Sequence, residues 1–401
     1  MTGEQTRPRA ALSPYDGVLL LSFGGPEAPE DVMPFLRRVT AGRGVPEERL
    51  RAVAQHYLDR DGVSPLPAEC RSLVAALRGE LLRRGHDLPV AWANRFAAPF
   101  LPEVLDQAAR AGQRRLVAVL TSAYPSYSGC RAYRDEIEAA IAGLPAPGGE
   151  AGRLVVDVVR PYAIHPGFSA TNSRLTTQAT RELLARTGLP AGDIRLVFVT
   201  HSIPVAMDAS SGPQGVRDGT GAAGLYQSWH RRLARAITDE VSATLGVAMA
   251  GELAYCSRSG PPGQPWLEPD VADHLERLAA DGVRGVVLAP IGFTSDHMEV
   301  VHDLDDEAMA AARRYGLAAT RVPTVRDDPE FVSGLVDLML ERAAEARGEE
   351  PRRPCWPRMS PLPSQCAASC CPPPVRPSGV GPPAGAAGVG PAGGRPGGGD
   401  P

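Results

Sequence analysis

The chain has 401 residues, 43% of them hydrophobic, and its 46 acidic and 42 basic side chains leave a formal net charge of −4. That balance offers no basic face for nucleic acid. Since no lysine occurs, Schiff-base chemistry and lysine-dependent phosphate loops are excluded as well.

The opening segment carries arginines with no apolar run behind them, and the apolar stretch Gly17 to Phe23 is far short of the ~18 residues that span a bilayer. A soluble, cytoplasmic protein without membrane insertion is expected. Runs rich in Val, Leu and Ile predict buried strands at Gly17 to Phe23, Pro89 to Arg95, Arg115 to Ser122 and Leu154 to Val159. The series resumes at Ile194 to Ser202, Glu252 to Arg258 and Gly285 to Phe293, with helical spacing over Leu101 to Gly112, Tyr226 to Leu245 and Glu268 to Gly282. Continuous apolar strands alternating with amphipathic helices predict an α/β fold with parallel sheets covered on both faces.

The long interruption from Leu144 to Ala170 divides the strands into two sheets, which predicts domains at about 14–160 and 161–325. A last helix over 328–346 carries Phe331, Leu335 and Leu338 and must pack on one of them. From 348 to 401 nearly half the residues are Gly or Pro. Too few large apolar side chains remain there to offset the entropy of ordering, so a disordered tail is expected. Four of the seven cysteines, Cys355, Cys366, Cys370 and Cys371, lie in the first part of this tail, and the odd total in a long chain argues against a disulfide framework.

In open α/β sheets ligands bind beyond the carboxyl ends of the strands, and four stretches place polar groups there. Phe23-Gly24-Gly25-Pro26 is a plain strand-to-helix turn or a close backbone approach to a ligand. Thr200-His201-Ser202-Ile203-Pro204 delivers a histidine that is a base, a metal ligand or a hydrogen-bonded core residue. The loop from Tyr255 to Pro262 leads to Trp266, which is a wall for a flat ligand or part of a rigid connection. In the stretch from Pro290 to Glu299, Ser295 or Asp296 can cap a helix on which Glu299, Asp303 and Glu307 recur at i, i+4 and i+8. Such a ladder is either a solvated face or, this close to the ligand edge, a conduit for protons or a divalent cation.

Taken together, LLLSFGGPEAPEDVMPFL, SPLP at Ser64 to Pro67, TSAYPSYSGCRAYRDEI, VFVTHSIP, YCSRSGPPGQPWLEPDV and APIGFTSDHMEVVHDLDDEA resemble the ferrochelatase family, in its order, over roughly residues 15 to 345. The resemblance implies two Rossmann-like halves with a porphyrin cleft between them. It also implies insertion of Fe2+, the metal substrate, into a porphyrin. His201 then matches the catalytic histidine and Glu299 its partner carboxylate, with Asp303 and Glu307 continuing the metal or proton line. Ser64 and Tyr133 are the implied propionate donors, with Tyr57, His56 and Arg43 beside them. Phe23 stands where some relatives carry a tyrosine able to touch iron, so an apolar opposite face is expected.

The resemblance is to the actinobacterial branch, which implies coproporphyrin III as the porphyrin. Protoporphyrin IX is the alternative, and so is a non-catalytic tetrapyrrole or metal carrier of the same fold. It further implies a 2Fe-2S cluster on Cys130, Cys366, Cys370 and Cys371, although thiolates also suit zinc. On an extended backbone neighbouring Cys370 and Cys371 point apart, which leaves Cys355 as a substitute. The chain is expected to act as a monomer with transient contacts to neighbouring haem-pathway enzymes.

Overall fold

The computed structural model describes residues 11–145, 153–213, 224–260, 263–356 and 359–373. Two four-stranded parallel sheets carry the fold. The first contains β1 (Gly17–Ser22), β2 (Val90–Asn94), β3 (Arg115–Leu120) and β4 (Val155–Val158), in the order β2-β1-β3-β4. The second contains β5 (Ile194–His201), β6 (Ala250–Cys256), β7 (Gly285–Ala289) and β8 (Ala318–Arg321), in the order β6-β5-β7-β8. Parallel pairing accounts for the unbroken apolar runs, because both faces of the central strands are covered. Leu20 faces a core shared with Leu73 and Leu77, whereas Leu19 packs with Leu105 and Leu116 on the other side. Strand β8 has no apolar signature, since AATR is half-buried at a sheet edge.

Helices α1 (Pro29–Val39), α2 (Glu47–Leu58), α3 (Leu66–Arg83), α4 (Leu101–Arg110) and α5 (Ala132–Ala142) surround the first sheet. Helices α6 (Pro166–Thr187), α7 (Val205–Ala209), α8 (Leu225–Leu245), α9 (Val271–Ala280), α10 (Met298–Val300) and α11 (Met309–Arg314) belong with the second. Helix α6 shows no apolar stripe in the sequence because its buried face is hydroxylic. Thr171, Thr176 and Thr180 donate to carbonyls four residues back at 2.7 to 2.8 Å, which satisfies them inside the core.

Helix α12 (Pro329–Ala346) packs against both halves, on α3 and on α6, and not on one of them alone. Its backbone meets α6 so closely that a Cβ added at Gly334 would lie 2.9 Å from the Cα of Gly167. A buried ion pair fastens the same helix, with Arg160 Nε 2.7 Å from Glu341 Oε1. The tail is placed against the body as far as residue 373. Trp356 N–H donates to the Ile164 carbonyl at 2.8 Å, Arg134 reaches the Ser364 carbonyl, and Leu362 is buried. The disorder expected of the tail otherwise concerns residues outside those described. None of the described helices is long and apolar enough to cross a membrane.

Candidate active site

His201 is the last residue of β5, carried to the carboxyl edge of the sheet by the buried run Leu196 to Thr200. Its Nδ1–H donates to the Ser202 carbonyl, which leaves the Nε2 lone pair facing Glu299. Nε2 and Oε2 stand 3.6 Å apart, with about 34% and 55% of the two side chains open to solvent. Burial pushes the imidazole down, but Glu299 outweighs it and raises His201 above its ordinary value. Burial likewise pushes the Glu299 carboxyl up, and His201, with His297 and Arg43, brings it well below the usual carboxylate range. Once Nε2 takes up a proton, the Glu299 carboxylate therefore favours the resulting imidazolium.

The acidic ladder is not the regular α-helix expected from its spacing. After the single turn of α10, residues Val301–Ala308 wind as a π-helix before α11 begins. Such wide turns are frequent at functional sites, because they re-aim side chains that an α-helix would keep in line. Asp303 still feels the charges of both Glu299 and Glu307, and it accepts a hydrogen bond from Ser257. Burial, then its two acidic neighbours, raise Asp303 to about 6. The expected cap is also corrected. His297 opens α10 without a side-chain cap, while Asp296 is spent on Arg321, Arg326 and Thr324.

Two histidines that spacing did not single out join the site. His302 comes together with Asp303 and Glu307, one ligand atom from each lying within 4.8 Å of the others. His297 acts electrostatically on both Glu299 and His201. The π-helical winding brings His302 to Glu307, five residues on, a pairing that an α-helical period does not make.

The first half closes over this line through α2. His56 stacks on His302 with centroids 3.9 Å apart, and Arg60 Nε lies 3.1 Å from Asp306. The Tyr57 hydroxyl is raised by burial and then by Glu299, and the charge of Arg43 reaches Glu299. Ser64 is buried beside the glycine turn, its N–H donating to Pro26 at 2.9 Å. Phe23, half-exposed at the end of β1, meets Phe96 at 4.8 Å. Trp266 is bridged to Pro204, three residues beyond His201, whereas Pro261 and Pro262 lie outside the described residues. Tyr133 is elsewhere, in the core beneath the first sheet, with Arg95 4.5 Å over its ring.

Among the cysteines, Cys70 and Cys256 are buried singly in the two halves. Cys130, in a π-helical turn before α5, acts electrostatically on Cys366, Cys370 and Cys371. The extended backbone expected at the adjacent pair is not found. Cys371 takes φ of 51°, which turns its sulfur to within 3.8 Å of that of Cys370. Cys355 instead donates to the Met359 carbonyl at 2.9 Å.

Two parallel sheets, with an imidazole and a carboxylate line gathered at the carboxyl ends of the second, define an α/β protein with a histidine–carboxylate cluster at its strand edge. The sequence profile of the family described as ferrochelatase matches residues 15–343, and the chain belongs to that family. The coproporphyrin III ferrochelatase of Streptomyces griseus subsp. griseus is 48% identical over 364 residues, covering 90% of this chain and 94% of that one. Those of Streptomyces coelicolor and Leifsonia xyli subsp. xyli are 46% and 44% identical, covering 90% and 89% of this chain and 94% and 91% of theirs.

Proposed function

We propose that this chain inserts Fe2+ into coproporphyrin III in haem synthesis, with release of the two pyrrole protons. The observation that carries the reading is the 3.6 Å slot between His201 Nε2 and Glu299 Oε2 at the strand edge. A lone pair facing a carboxylate is built to receive a proton, and Glu299 stabilises the imidazolium that results. His302, Asp303 and Glu307 form the oxygen- and nitrogen-donor set that passes the hydrated cation toward the ring. Each Fe2+ that enters replaces two protons, so the porphyrin core keeps its charge.

Arg43, Tyr57 and His56 crowd the Glu299 side and, with Ser64, are the donors assigned to the propionates, whereas Tyr133 is withdrawn from that set because it is buried beneath the first sheet. The substrate named for the relatives favours coproporphyrin III over protoporphyrin IX. A carrier needs no proton acceptor beside its metal ligands, which argues against the non-catalytic reading. Anaerobic assays with Fe2+ and each porphyrin side by side test the proposal. Faster insertion into coproporphyrin III is expected, and a preference for protoporphyrin IX, or no insertion at all, overturns it.

Cys130, Cys366, Cys370 and Cys371 fit a 2Fe-2S cluster that fastens the tail to the body. Cys371 Sγ already accepts the Gly212 N–H at 3.0 Å and its thiol is lowered by Cys370, while Cys130, Cys366 and Cys370 are raised and would give up their protons on binding metal. Zinc, held at ~2.3 Å by each thiolate, is the alternative occupant of the same four sulfurs. The protein is assigned to the cytoplasm, acting as a monomer.

A further inference from the structure

Behind His201 lies a hydrogen-bonded chain of side chains that the proposed chemistry does not use. His230 on α8 is fully buried, its Nδ1–H donating to the Tyr226 carbonyl at 2.7 Å. That bond sets the tautomer and leaves Nε2 as an acceptor for the Thr200 hydroxyl, 2.9 Å away. Burial keeps this ring neutral, at about 3. The Tyr226 hydroxyl, 2.8 Å from Thr200 Oγ1, donates to the backbone carbonyl of His201, also at 2.8 Å. With the Thr200 proton given to His230, the single Tyr226 proton is left to bridge Thr200 Oγ1 and the His201 carbonyl in a three-centre bond.

We propose that Tyr226, held by Thr200 and His230, is a positioning residue for His201. The peptide group joining His201 to Ser202 is pinned at both ends: its carbonyl by Tyr226, and its N–H by the Cys256 carbonyl at 2.8 Å. Ser202 is further fixed by its hydroxyl, which donates to the Leu267 carbonyl at 2.8 Å. The imidazole is bonded to the Ser202 carbonyl, which begins the next peptide group, so the pinned His201–Ser202 peptide and the fixed Ser202 together set where Nε2 points. Thr200 owes its place to Gly292, where an added Cβ would lie 2.1 Å from its Oγ1.

The support also crosses between the halves. Tyr124, from the loop after β3, stacks on the His230 ring with centroids 3.5 Å apart and planes 13° from parallel. Its own hydroxyl donates to the Ile291 carbonyl at 3.0 Å. The His201 ring is therefore referenced to both sheets, as a group that must meet a porphyrin lying between them requires.

This inference rests on His201 acting in metal insertion, so His201→Ala is measured in parallel. Tyr226→Phe keeps the ring and removes the hydroxyl, and should lower kcat about tenfold while KM for coproporphyrin III stays within about twofold. Misplacing a reacting group by ~1 Å costs turnover more than binding. Thr200→Ser should keep kcat near that of the parent, and Thr200→Val should lose it as Tyr226→Phe does. An inactive His201→Ala beside a fully active Tyr226→Phe overturns the positioning role alone. If Thr200→Ser fails as badly as Thr200→Val, packing and not hydrogen bonding is at work, and the role is overturned as well. A His201→Ala enzyme that still turns over removes the proposed function of His201 and this inference with it.

Discussion

His201 Nε2 and Glu299 Oε2 face each other 3.6 Å apart, one at the end of β5 and the other in the single turn of α10. The distance is too long for a direct hydrogen bond and short enough for the charge of each to set the protonation of the other.

Replacing His201 by alanine should abolish metal insertion and leave porphyrin binding in place. The propionate donors assigned above lie on other elements, and affinity rests on them. Titrating the variant with coproporphyrin III and following porphyrin fluorescence, beside an Fe2+ insertion assay, separates the two. Retained turnover would remove His201 from the chemistry.

Glu299→Gln keeps the shape and removes the charge, so turnover should fall by about 10² or more, the range usual for a lost acid–base partner. The acid limb of the remaining rate should also move. Glu299 raises His201, and activity that needs the neutral imidazole is lost as pH falls through that raised value. Without the carboxylate burial dominates, the imidazole drops, and the midpoint of the limb should shift to lower pH. A pH–rate profile of both enzymes decides it, an unmoved midpoint counting against the pair.

For the cysteines, the protein as purified should be reddish brown, with about two irons per chain and visible absorption that dithionite bleaches. Cys130→Ser should remove that colour as completely as Cys366→Ser, because each supplies one of four thiolates. Truncation after Pro374 should leave it, and Cys355→Ser should leave it too, since that thiol is turned to Met359. A colourless protein after anaerobic reconstitution with iron and sulfide would refute the cluster without touching His201 or Glu299.

Glu341→Ala strands the Arg160 guanidinium, whose side chain has no exposure, without its counter-charge. Removing one partner of such a pair costs about 3–5 kcal/mol. Urea unfolding should show that loss. A change under about 1 kcal/mol would mean that water or another group takes over from the carboxylate.

Much of the molecule was legible in one dimension. Seven of the eight strands were marked by apolar runs, but the sheets divide between β4 and β5 and not at Leu144, because Val155–Val158 still pairs with β3. The helices less visible were those whose buried face is not apolar, α6 above all, because threonines that bond their own backbone can be buried without an apolar pattern. Strand β8 escaped for the related reason that an edge strand is half-covered and need not be apolar.

At the site, residue types and order at the strand ends were enough to select His201, Glu299, Asp303 and Glu307, since chemistry confined to carboxyl edges restricts where such residues can be useful. By itself the sequence thus determined the two-sheet α/β class and, through the resemblance of its motifs, the family, which in turn implied His201 beside Glu299. These follow from local periodicity and motif order, which a linear chain carries in full. Only the tertiary structure decided that the acidic ladder winds as a π-helix and brings in His302, that a left-handed residue aligns Cys371 with Cys370, and that Tyr124, His230, Thr200 and Tyr226 support His201 from behind. Each of these depends on backbone winding or on contacts between elements distant in the chain, where neither spacing nor composition leaves a trace.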